Sequence, residues 1–278
     1  MKVTPRYDGS AILTMDGPVD DQREPIARQR RRFAALLASL DDDQWRAPSR
    51  CAGWSVHDVV AHLVGVNAFW RASIVAGLAG TPTRILVDFD PVATPRLMVE
   101  PMRVLAPHDL LVQFVEVNES LLEVIEGLDG DDWTVLAESP PGHLPIRLIA
   151  QHALWDAWIH ERDVAFPLGI ETAVVADEVR SCLRYAAALG PGLAVSTGAV
   201  TPGTYVVDAR DPECRFTVEV GTSVAVHAVP ASELSEPPAL CGDAVDLVEA
   251  LSLRAPLPDS APPEWRTLLE GLATVFAT

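Results

Sequence analysis

Lysine is almost missing from this chain. Lys2 is the only one, arginine supplies every other permanent cation, and 21 Lys and Arg face 39 Asp and Glu for a formal net charge of −18. So large a deficit of positive charge argues against binding led by Lys and Arg neutralising phosphates, so no nucleic acid and no membrane surface is expected as a partner. Cysteine is scarce too: Cys51, Cys182, Cys214 and Cys241 are widely scattered with no C-x-x-C pair, which argues against a thiolate zinc knuckle or a disulfide framework. All four read as reduced, mostly packed thiols. No apolar run approaches the roughly 20 residues of a membrane helix. The first residues, "MKVTPRYDGSAILTMDG", lack an apolar core of signal-peptide length after their positive charges, and the expected location is the cytoplasm.

What is present suits a globular protein: 278 residues, 30.0 kDa, 49% hydrophobic and 22% charged, enough for one large domain or, as we expect, two. Residues 1–22 read as an irregular leader with a short strand at 11–15. Helical periodicity runs from about Arg23 to Leu40, and its basic "RQRRR" at 28–32 reads as a solvated face. Ser55 with Asp58 three places later forms a capping-box pattern that starts a helix over 56–76. On it Val59, His62, Val66 and Phe69 recur at steps of three and four, so His62 lies on the inward stripe. Residues 80–107 hold five prolines and fit neither period, as a long connection serving as a lid or binding loop would. Further helices are expected at 108–126, from about Pro145 to Val164, and at 176–189. Three β-branched runs at 204–209, 215–220 and 223–229 predict an antiparallel meander, and two helical stretches follow it. The fold class is therefore α+β: a helical bundle over 23–192 with the long connection at 80–107, then a small α+β domain over 193–278.

The chemistry concentrates in "HALWDAWIHERD", residues 152–163. Positions i and i+4 share one helix face, so Asp156 and His160 can reach a single ion, and His62 supplies a third donor if the two helices are neighbours in the bundle. Two imidazoles and a carboxylate are a donor set of open catalytic zinc sites, and the set also suits ferrous iron or nickel. The plainer alternative is that His62 is a hydrogen-bonded core residue and that Asp156 and His160 only bond each other. His152 is an alternative ligand. Asp163, three residues after His160, is a candidate acceptor that orients an imidazole. Trp54, Trp70, Trp155 and Trp158 read as core or pocket wall.

The segments "CAGWSVHDVVAHLVGVNAFW" (51–70) and "HALWDAWIHERDV" (152–164) resemble the two metal-ligand segments of the DinB-like, mycothiol-dependent maleylpyruvate isomerase family. "CGDAVDLVEALSLRAPLP" is similar to the small sterol-carrier-like α+β domain that follows the bundle there. The resemblance implies a four-helix bundle carrying a divalent metal, usually zinc, on His62, Asp156 and His160. Asp156 stands where the family often has Glu, one methylene longer. It further implies mycothiol or a similar thiol as co-substrate, a small electrophilic metabolite as substrate, and Arg254 as the arginine that helps hold substrate carboxylates. The expected activity is that of an isomerase or thiol S-transferase acting as a monomer or homodimer. A thiol-independent metalloenzyme, or a non-catalytic protein enclosing a hydrophobic ligand, are the alternatives.

Overall fold

The computed structural model describes residues 4–16, 21–198, 202–228 and 240–276. The start of the leader and its residues 17–20, with Val229 and Ala277 as the expected ends of the last meander strand and the last helix, lie outside the described residues. An N-terminal helical part precedes a C-terminal α+β part. The elements of the first are β1 (Leu13–Met15), α1 (Arg23–Ala38), α2 (Asp42–Arg46), α3 (Val56–Leu78), α4 (Ala93–Val99), α5 (Pro107–Glu126), β2 (Leu136–Ser139), β3 (Gly142–Pro145), α6 (Ile146–Ala165) and α7 (Ala176–Ser196). The second has β4 (Gly203–Arg210), β5 (Cys214–Val220), β6 (Val224–Ala228), β7 (Leu240–Asp243), α8 (Ala244–Leu251), α9 (Pro263–Leu269) and α10 (Gly271–Phe276).

Helices α1, α3, α5 and α6 form the bundle, each of α1 and α3 packing on both α5 and α6. The expected capping box starts α3: Ser55 Oγ accepts from Asp58 N at 3.2 Å and the Asp58 carboxylate accepts from Ser55 N at 3.0 Å. Such a cap stabilises a helix by about 1 kcal/mol. One expectation is corrected here. By length and composition α3 is apolar enough to cross a membrane, yet it packs against α4, α5, α6 and β2 and buries Asn67 and Ser73 among its apolar residues, as the central helix of a globular bundle does.

The solvated reading of residues 28–32 holds for Arg31, which stays exposed, and is overturned for the rest. Gln29 and Arg30 are buried, and Arg28 and Arg32 reach across to Asp177, Glu178 and Glu161 on α6 and α7. An arginine-rich run faces inward here because acids on two neighbouring helices receive it, information that the run itself does not contain.

The meander forms as expected, β4–β5–β6 antiparallel, but the sheet has five strands in the order β1-β6-β5-β4-β7, with both edges parallel to their neighbours. The short strand expected in the leader is β1, which pairs with β6, and Arg6 bridges Gly142 of the β2–β3 hairpin. Gly142 has φ +122 and lies so close to the Arg6 backbone that a Cβ would overlap it. Residues 140–145, "PPGHLP", form the turn and second strand of that hairpin. The boundary expected at 192 falls inside α7, which packs against α6 on one side and β5, β6 and α8 on the other. One apolar core runs through it, from Trp70, Leu121 and Leu154 in the bundle to Tyr205, Phe216 and Leu247 in the α+β part. The 80–107 connection holds α4, whose first turn accommodates Pro95 because its amide would have no intrahelical partner there.

Candidate metal centre

The spacing that placed Asp156 and His160 on one face of a helix holds in α6, where His160 Nε2 lies 3.6 Å from Asp156 Oδ1. Helix α3 crosses α6 so that the His62 and His160 rings are 5.1 Å apart between centroids. Donor atoms of His62, Asp156 and His160 all lie within 4.8 Å of one another, so small side-chain shifts bring them to the separation of no more than about 4.4 Å that bonds of about 2.0–2.2 Å to one cation require.

Four observations bear on whether these residues fit a metal. His62 Nδ1 is buried without a hydrogen-bond partner among the described residues, an arrangement that costs free energy unless something else satisfies it. Burial, helped by the nearby His160 and His152, pushes His62 well below its ordinary pKa, so its imidazole is neutral, the form that binds metals. His160 donates its Nδ1 proton to Asp163 Oδ2 at 3.0 Å, which turns Nε2 toward Asp156; against burial, Cys51, Asp163 and Asp156 hold this ring well above its ordinary pKa, so a cation bound at Nε2 takes the place of a proton there. Burial raises the Asp156 pKa, against the pull of His160 and Arg30. The donor set fits a divalent cation.

Behind His160 lies a second polar cluster. Burial alone would raise Asp163, but hydrogen bonds from Arg254 and His160 hold it well below the usual carboxylate range. Arg254 grips it with Nε on Oδ1 and Nη2 on Oδ2, both at 2.8 Å, and Arg50 Nε adds a third contact at 3.0 Å. Cys51 Sγ donates to Asp163 Oδ2 at 3.2 Å and lies 3.7 Å from His160 Nδ1. Cys51, His160 and Asp163 also lie within 4.8 Å of one another. Two guanidinium groups already neutralise Asp163, however, which makes the Cys51 side the poorer cation site of the two.

Arg254 thus reaches the site, but as the partner of Asp163, and its remaining Nη1 donates to Ser252 O at 3.2 Å. Sequence reasoning missed Arg50 and Cys51. The signal available was their place in "RCAGWS", just ahead of the helix that carries His62. His152 is turned elsewhere, its Nδ1 2.6 Å from the Tyr185 hydroxyl.

The trio opens onto a cavity of about 690 Å³ between the bundle, the 80–107 segment and the C-terminal helices. Phe69, Trp70, Phe89, Met98, Trp155 and Leu272 are among its walls. Segment 80–107 contributes Ile85, Leu86, Asp88, Phe89, Thr94, Pro95 and Met98, in keeping with its expected place over a binding site. Its near end is anchored by Glu138 of β2, whose carboxylate accepts from the backbone of Ile85 (2.8 Å) and Leu86 (2.7 Å) and from the Tyr7 hydroxyl (2.6 Å).

The family model of the mycothiol maleylpyruvate isomerase N-terminal domain matches residues 26–165, half of the chain. The chain belongs to this family. The matched span contains all three donors and ends at the last residue of α6. Two uncharacterized proteins of Mycobacterium tuberculosis, from strains CDC 1551 / Oshkosh and ATCC 25618 / H37Rv, are each 42% identical over 53 residues, 17% of this chain and 29% of theirs. The chain thus matches less than a third of the length of those relatives. Crystal structures of the mycothiol-dependent maleylpyruvate isomerase and of a histidine-to-alanine mutant superpose with a TM-score of 0.60, over 86% of this chain and 91% of theirs, at 15% identity. At that identity the likeness is one of fold.

Proposed function

We propose that this member of the family is a metal-dependent enzyme that uses a low-molecular-weight thiol, mycothiol or a similar one, either to isomerise a small electrophilic metabolite or as the group transferred onto it through sulfur. His62, Asp156 and His160 would hold a divalent cation, for which zinc suits the donors best. The observation that carries this reading is the convergence of the three donors, from helices distant in the chain, on the polar corner of a largely apolar cavity, with His62 Nδ1 left unpartnered among the described residues. Such a cation, when bound, lowers the pKa of a thiol or water that reaches it.

The chain's own residues do the rest. Asp163, fixed by Arg254 and Arg50, sets the ring orientation and tautomer of His160. Trp70, Trp155 and Phe89 exclude water from the reacting atoms. In the isomerase outcome the thiol sulfur adds to a conjugated alkene carbon, the new single bond rotates, and elimination returns the thiol and the trans alkene. In the transferase outcome the C–S bond stays, and the proton lost by the thiol ends on the carbon beside the new bond. Both need the same activated sulfur, so they share one site.

Elemental analysis of the purified protein tests the reading, with about one divalent ion per chain expected. His62→Ala and His160→Ala should each lose both the ion and the formation of thiol adducts with added electrophiles. Full metal content in both variants overturns the ligand assignment. A wild-type protein with no metal favours instead a carrier that encloses a hydrophobic ligand.

A further inference from the structure

The cavity wall carries information about the substrate that the ligand trio does not. We infer that the molecule held here is an uncharged, largely apolar ring system bearing a carbonyl oxygen, and that His152 Nε2 donates the hydrogen bond that orients it. The inference deepens the proposed function, on which it rests only for the position of the reacting atoms.

The first observation is a lack of available cations. Among the described residues Arg254 is the only Lys or Arg that lines the cavity, and Asp163 engages its guanidinium at two points while Ser252 takes the third. Asp88 adds a carboxylate to the wall. A dicarboxylate entering this space would meet no free guanidinium, so at most one of its carboxylates, at the cation of the trio, would have its desolvation compensated. The second observation is the aromatic lining: Phe69, Trp70, Phe89 and Trp155 surround a volume of about 690 Å³, large for a short-chain acid and suited to fused rings that stack on such faces.

The third observation supplies the polar anchor. His152 lies one turn before Asp156 on α6, so it stands on the same wall as the ligand trio, between the rings of Trp70 (4.6 Å) and Trp155 (5.5 Å). The Tyr185 hydroxyl is buried and meets His152 Nδ1 at 2.6 Å. Ser139 stands beside the Tyr185 hydroxyl as a donor to its oxygen, and a buried phenol proton needs an acceptor, which His152 Nδ1 provides. Tyr185 therefore donates to Nδ1, which places the ring proton on Nε2. That nitrogen has no protein partner among the described residues, and His152 lines the cavity. Burial lowers the His152 pKa to about 3, so the ring is neutral and adds no charge to the wall. A neutral N–H donor in an apolar pocket discriminates strongly for a carbonyl, because a ligand without one leaves the donor unpaired.

Equilibrium dialysis of the metal-containing protein without thiol tests this, using 2-acetylnaphthalene, 2-ethylnaphthalene and maleate as probes. The first two differ only in a carbonyl in place of a methylene. 2-Acetylnaphthalene should bind roughly tenfold more tightly than 2-ethylnaphthalene, and maleate should bind more weakly than either. In His152→Phe both naphthalenes should bind equally, the ethyl compound reporting that the cavity is intact. His152→Gln, which keeps a donor, should restore part of the carbonyl preference. Should His152→Phe fail to fold, Tyr185→Phe reads the same preference: its reduction supports the assignment and its full retention overturns it. Maleate binding more tightly than both naphthalenes, or an unchanged preference in His152→Phe, also overturns it. Metal content measured on the same samples separates the two readings, since the naphthalene preference can fail with the ion present and hold with the ion absent.

Discussion

Helix α6 carries two buried polar clusters one turn apart, and they are built on opposite terms. At Glu161 every charge is answered: Arg32 contacts both carboxylate oxygens at 2.8 Å, Gln29 adds a bond, and Arg32 continues with Arg28 to the buried Glu178. At Asp156 and His160 the donors are gathered but not satisfied. His160 Nε2 and Asp156 Oδ1 stand 3.6 Å apart, and His62 Nδ1 has no partner among the described residues. Buried polar groups are normally paired, and a gathered but unpaired set has its partner elsewhere. The arginine-filled cluster reads as scaffold and the open one as a site.

The sharpest way to break that contrast is to remove one member of each cluster and measure stability in chelator-treated protein. Arg32→Met leaves Glu161 and Glu178 buried with fewer cations, and should cost about 3 kcal/mol in urea unfolding. His62→Ala removes a group that has no partner to lose, and should cost no more than about 1 kcal/mol under the same conditions. Equal losses in the two variants would show that the trio is as structural as the arginine network.

A smaller effect separates the ligands from the group behind them. Asp163→Asn keeps the shape but not the charge that orients His160, and should weaken divalent-metal affinity about 10- to 100-fold in competition with a chromogenic chelator. Affinity unchanged from wild type would mean that the Asp163–Arg254 pair only joins α6 to the C-terminal part.

Much of this was legible in the sequence because it is local. The Ser55–Asp58 cap, the inward stripe holding His62 and the four-residue step from Asp156 to His160 are each decided within a turn or two of helix. Arg30 shows the limit: it lies in a run that looks solvent-facing, yet it is buried and donates to Asn67 at 2.9 Å and Ala153 O at 3.2 Å. Its environment is made by α3 and α6. The same holds for β1, whose parallel pairing with β6 joins segments some two hundred residues apart, and for Arg50, Cys51 and Arg254, which meet only at Asp163. Periodicity reports which way a side chain faces, while its partners come from elements that the local pattern does not contain.

The mildest change tests whether the trio tolerates its short carboxylate. Asp156→Glu adds one methylene on a helix whose neighbouring His160 is held by Asp163 and cannot retreat freely. The cavity on which Asp156 opens gives the longer side chain room to fold back, and a Glu reaches the same ion from an i, i+4 position by a different rotamer. Metal affinity should therefore stay within about tenfold of wild type, with folding stability unchanged, because no packed neighbour is displaced. Complete loss of the ion in this variant, alongside normal folding, would show that the space between α3 and α6 is set to the length of aspartate, and that the open cluster is as closely fitted as the arginine-filled one beside it.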